Sequence, residues 1–189
     1  AWLTAPSRGP LVDVGNGRPN PTAPVGGSAK MLWNEDGLYF GVEVRDSDVI
    51  GGFKKGEKDP HLWTKDTVEI MVDPDGDGDN KGYYEFQVGP QNLVFDSHFD
   101  SYHEPKPTPK PAAARPDAPP DPKAPPKPPT KDGPFGHETW SSKIKSAVSV
   151  NGTLDKPGDK DQGYVVELMI PWKSFHKAKT TPPKVGDEW

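Results

Sequence analysis

The chain has 189 residues, only 31% of them hydrophobic, with 25 prolines, 20 glycines and a formal charge of −5. That acidity argues against nucleic acid as a partner, because phosphate binding needs clustered Lys and Arg, and no apolar run approaches the ~20 residues of a membrane span. Cysteine is absent, which excludes disulfides, thiol catalysis and cysteine-ligated zinc.

The first clear element begins at Lys30 and runs to Trp33. Asn34-Glu35-Asp36-Gly37 reads as a turn, with Gly37 supplying the positive φ of a tight hairpin. In the next strand, Leu38 to Asp46, residues Leu38, Phe40, Val42 and Val44 share one face and Tyr39, Glu43 and Arg45 the other. Such alternation is that of a half-buried antiparallel strand. Asp66 to Asp73 repeats it, with Val68, Ile70 and Val72 opposite Thr67, Glu69 and Met71. Tyr83 to Val88 follows, with Tyr84, Phe86 and Val88 opposite Tyr83, Glu85 and Gln87, and a short strand is expected at Leu93 to Asp96.

Residues 104–134 break the pattern. They hold 13 of the 25 prolines and almost no apolar residue larger than Ala. Such a tract cannot bury enough surface to offset the entropy of ordering, and it reads as a disordered insertion sampling extended polyproline II states. It is a tolerated loop insertion or a docking site for a proline-binding partner. Strands resume at Lys143 to Val150 and Tyr164 to Ile170, and Pro171 to Phe175 reads as one helical turn. Short strands separated by turn residues imply an all-β, antiparallel β-sandwich, immunoglobulin- or jelly-roll-like. Residues 1–103 would form its first part and 135–189 the remainder.

No nucleophile elbow, phosphate loop or His-Glu-x-x-His motif is present, the histidines are scattered, and no enzymatic activity or organic cofactor is expected. Two constellations stand out. In Asp73-Pro74-Asp75-Gly76-Asp77-Gly78-Asp79-Asn80, the carboxylates of Asp73, Asp75, Asp77 and Asp79 alternate with turn residues. That pattern suits either a calcium site built of oxygen ligands or a solvated acidic loop. The second is a polar and aromatic face. Trp63 lies just before the strand that carries Glu69, with Asp66 between them, and pairing with the next strand would bring Glu85 and Gln87 to the same face. An aromatic plate beside carboxylates and amides can hold a sugar by its C–H face and its hydroxyls.

At these residues the chain resembles the family 9 carbohydrate-binding modules. The resemblance rests on Lys30 to Val42, on Trp63-x-x-Asp66-x-Val68-Glu69, on the Asp-rich turn, on Tyr83-Tyr84-Glu85-Phe86, and on Gly163 to Glu167 with Ile170-Pro171-Trp172. It implies a β-sandwich, structural calcium and sugar recognition, often at the reducing end of a glycan. It also implies a secreted or cell-surface setting within a larger protein. Trp63 matches one of two tryptophans that clamp the sugar, and Glu69 a carboxylate that bonds its hydroxyls. Gln87 falls where such binders carry Arg, and Gly89 where they carry Asn. The second clamp tryptophan belongs to last strands beyond Trp189, so the sequence reads as a trimmed piece with an open sheet edge. A structural or assembly domain without a sugar ligand is the alternative. A haem held by Met71 and His98 is a third.

Overall fold

A computed structural model describes residues 2–19, 25–79, 81–101 and 135–189. It is an antiparallel β-sandwich. One sheet has five strands in the order β1-β2-β3-β8-β7 and the other has three, β4-β5-β6. Their ranges are β1 Ser7–Arg8, β2 Gly26–Trp33, β3 Gly37–Arg45, β4 Val68–Val72, β5 Tyr84–Val88, β6 Val94–His98, β7 Lys145–Asn151 and β8 Gly163–Pro171. Short 3-10 turns cover Leu62–Thr64 and Trp172–Ser174. No helix among the described residues is long and apolar enough to cross a membrane. The tract expected to be disordered, 104–134, lies outside the described residues. The chain on either side of it contributes to one five-stranded sheet, because β8 pairs with β3 along Gly37–Val44.

The period-two faces form as the alternation dictates. Leu38 and Val42 from β3, Val68 and Val72 from β4, Tyr84, Phe86 and Val88 from β5, and Val166, Leu168 and Ile170 from β8 make one buried cluster with Trp172 and Phe175. The 3-10 turn after β8 seats Trp172, whose indole Nε1 donates to Asn34 O at 2.7 Å and so fastens the first hairpin to the last strand.

Two expectations are corrected. The second strand begins at Gly26 rather than Lys30, and pairs Gly26 with Arg45 and Gly27 with Val44. Glycine gave no strand signal there, yet it is what the pairing needs: a Cβ on Gly27 would lie 2.3 Å from Glu43 O. Gly37 does not take a positive φ. The turn is closed instead by the Asn34 side chain, whose Oδ1 accepts from the backbone of Asp36 (2.9 Å) and Gly37 (3.2 Å). Gly37 is needed for closeness, since Ile170 O would lie 2.3 Å from its Cβ.

The chain re-enters the fold against β6. Ser97 Oγ donates to Phe135 O at 2.8 Å, His137 N to His98 O at 2.9 Å, and Ser142 N to the buried Asp96 Oδ2 at 2.9 Å. At the other edge of this sheet β4 has no partner on its outer side among the described residues. The sandwich is open along it, with a groove of about 630 Å³ lined by Met31, Trp33, Phe40, Met71 and Trp189 among others.

Candidate functional site

The register of the three-stranded sheet sets the site. Glu69 pairs with Gln87, and Gln87 with Phe95; Met71 pairs with Glu85, and Glu85 with Ser97. These six residues alternate with the inner-facing set and so occupy the opposite face in two cross-strand rows, where Gln87, Phe95 and Ser97 are themselves buried. The 3-10 turn before β4 brings Trp63 to the end of the first row. Its ring meets Phe95 edge-on at 5.1 Å, stacks on His61 at 4.3 Å, and lies 4.8 Å from Phe135. Trp63 remains 37% exposed, an aromatic plate at the surface rather than a core residue. His61 is braced from behind by Glu138, Nε2 to Oε2 3.4 Å.

Glu69, Glu85 and Gln87, expected together, are together. Gln87 is 1% exposed and donates its amide to Glu85 Oε1 at 2.6 Å. Its own Oε1 is buried without a partner among the described residues, so position 87 holds a buried amide where the resemblance places the donors of an Arg. Gly89 packs against Leu62, 3.2 Å from where a Cβ would sit, so an Asn there would displace that leucine. Asp66 does not join the face. It has the parity of Val68, not of Glu69, and its Oδ2 accepts from Ile50 N at 2.6 Å. Met71 and His98 project from opposite faces of the sheet, Met71 in the row of Glu85 and His98 opposite Tyr84, so they do not face one another. His61, Phe95 and Phe135 complete the aromatic wall and had no sequence signal beyond their own aromaticity; only the outward parity of Phe95 relative to Asp96 could have indicated it.

Burial pushes the Glu85 carboxyl up to about 7 from 4.5, and the charge of Glu69 and a hydrogen bond with it add to the rise. The folded protein keeps a proton that the unfolded chain releases above pH 4.5. The stabilisation is therefore complete below about 4.5 and is lost as pH rises through about 7. Glu85→Gln is expected to flatten the decline in melting temperature over that range and to melt higher than the parent above pH 7. Parallel decline in both proteins would assign the slope to other groups.

The Asp-rich loop joins β4 to β5. Asp73, Asp75 and Asp77 each present a carboxylate oxygen, all within 4.8 Å of one another. Asp73 Oδ2 accepts from Gly78 N at 3.2 Å, and its Oδ1 is buried without a partner. Desolvation, and then the neighbouring Asp75, raise the Asp73 pKa. Asp79, expected as a fourth ligand, stands apart: its Oδ2 is paired with Lys81 Nζ and its Oδ1 accepts from Lys81 N.

Comparison with known proteins gives one family. Residues 2–109 match the carbohydrate family 9 binding domain-like model. A curated relative, Exoglucanase XynX of Acetivibrio thermocellus, is 26% identical over 148 residues, which is 78% of this chain but 9% of that protein's length. Among solved structures, a Bacteroides uniformis protein suggested to bind carbohydrate superposes with a TM-score of 0.56 at 16% identity. The match covers 95% of this chain and 66% of that one, and shows a shared fold.

Proposed function

Because the chain belongs to the carbohydrate family 9 binding domain-like family, we propose that it is a non-catalytic carbohydrate-binding module of an exported, multidomain protein. It holds a glycan against the outer face of the β4-β5-β6 sheet. The observation that carries this reading is the row Glu69–Gln87–Phe95 ending at an exposed tryptophan. A pyranose ring has an apolar C–H face for Trp63 and hydroxyls that both donate and accept. On that face the carboxyls of Glu69 and Glu85 supply hydrogen-bonding groups for those hydroxyls. The resemblance to an exoglucanase segment supports a place beside carbohydrate-active domains. Calorimetric titration with cellobiose, xylobiose and glucose tests it: saturable heat supports the reading, and none from folded protein refutes it.

A structural or assembly role without sugar is favoured by one observation. Gln87 is 1% exposed, and His61 and Phe135 already occupy space around Trp63. The same titration separates the two readings.

Calcium belongs to the proposal as a structural ion. The three converging carboxylates and the orphaned Asp73 Oδ1 fit a hard cation that takes oxygen ligands. Asp73, Asp75 and Asp77 would hold it, and its charge would offset their mutual repulsion in the β4–β5 turn. Addition of calcium to chelator-treated protein is expected to raise the melting temperature. Asp75→Asn should abolish that response, whereas Asp79→Asn should leave it. A melt indifferent to calcium would mean a plain acidic loop.

A further inference from the structure

Metal-ligating side chains also converge where β6 ends, on the inner side of the sheet and next to the chain leaving the Asp-rich loop, whose Gly82 N donates to Asp100 O at 3.3 Å. His98, Asp100 and His137 each present one ligand atom, and the three atoms lie within 4.8 Å of one another. His98 closes β6 on the inner face, opposite Tyr84, and is 8% exposed. Its Nδ1 is buried with no hydrogen-bond partner, a state that buried polar groups rarely keep without a ligand. The His98 ring stacks on that of His137 at 4.0 Å. His137 is placed there by its backbone bond to His98 O, and its Nε2 meets Asp100 Oδ2 at 2.7 Å. Lys177 Nζ donates to the other oxygen, Asp100 Oδ1, at 2.5 Å.

We propose that His98, Asp100 and His137 form a binding site for a divalent ion of the zinc type, which clamps the segment entering at residue 135 to the end of β6. The donor set decides the class of ion. Two imidazoles and a carboxylate suit zinc and its first-row neighbours, and three protein ligands leave a fourth position for water. Calcium takes six to eight oxygen ligands, so this site and the Asp73 loop would select different ions.

The geometry supplies further support. An ion here would take the place of the direct contact between His137 Nε2 and Asp100 Oδ2. Lys177 stays on the second oxygen of Asp100, an outer hydrogen bond of the kind that orients a ligating carboxylate. His176 packs edge-on against His98 at 4.8 Å and keeps its Nδ1 on the Tyr84 hydroxyl at 3.3 Å, closing the inner side of the cluster.

The test uses the whole chain freed of metal. Cobalt(II) is titrated as a visible probe and then competed with zinc, with calcium present in excess throughout. One cobalt per chain with ligand-field absorption bands, displaced by zinc but not by calcium, is expected, together with a higher melting temperature in zinc. His137→Ala and Asp100→Asn should lose the bands, and near-ultraviolet circular dichroism checks that each remains folded. Asp75→Asn should keep them, which separates this site from the loop between β4 and β5. Absence of stoichiometric binding to the folded parent would overturn the proposal. So would cobalt bands that persist in folded His137→Ala.

Discussion

Trp63→Ala is expected to remove glycan binding while the domain stays folded. Truncating an aromatic anchor at the centre of a binding surface typically costs roughly 2–4 kcal/mol, a factor of about 30 to 1,000 in affinity. Binding in the millimolar to micromolar range would then fall below calorimetric detection. The folded state loses less. Trp63 is already 37% exposed and sits on a 3-10 turn outside the inner core, so its truncation should cost about 1–2 kcal/mol, below the ~3–5 kcal/mol of a fully buried aromatic. Trp63→Phe should retain part of the affinity, because a smaller plate still covers part of the sugar's C–H face. Undiminished binding by Trp63→Ala would move the sugar off the outer face. If neither protein binds, the assembly reading takes over.

Phe86→Ala should cost about 3–5 kcal/mol in urea unfolding, the usual price of emptying a fully buried aromatic site. Phe86 is completely buried on β5, the central strand of its sheet, and packs against Tyr84, Trp140 and Phe175 at ring separations of 6.3, 6.2 and 5.8 Å. Those neighbours come from both sides of residues 102–134, so filling the cavity would require segments from both to shift together. A domain is typically stable by about 5–15 kcal/mol, and this variant should lie near its limit at room temperature. Phe86→Leu, which keeps most of the volume, should cost far less. A loss under about 1 kcal/mol for Phe86→Ala would mean that the inner face is loosely packed or refilled, contrary to the ordinary density of protein interiors.

Much of the fold was legible because period-two alternation is enforced by burial on one face. Leu38, Phe40 and Val42, and Val68, Ile70 and Val72, announced their sheets, and pairing β4 with β5 placed Glu69 beside Gln87. Two-residue β1 carries too few residues for any period, and the glycines that open β2 pair through closeness of backbone, which composition does not reveal. Parity would have removed Asp66 from the outer face, but proximity in sequence to Trp63 outweighed it. Alternation likewise counted Asp79 with its neighbours, whereas Lys81 lay two residues on and claimed its carboxylate. Phe135 meets Trp63 and Ser97, and His137 meets His98 and Asp100, across residues 102–134, and no local pattern records a contact of that range.

The β3–β8 ladder, from Gly37↔Pro171 to Val44↔Tyr164, makes the domain a two-piece object. Every hydrogen bond of that ladder joins a residue before 102 to one after 134, and among the described strands β7 pairs with β8 alone. Cutting the chain within 102–134 would break none of the strand pairings of the described residues. The two fragments would remain associated through the middle of a sheet, running as one species in native conditions and as two under denaturation. Expressed separately, neither would hold a complete core, and each would be the other's template for folding: a natural split pair whose reassembly could report on whatever brings two partner proteins together.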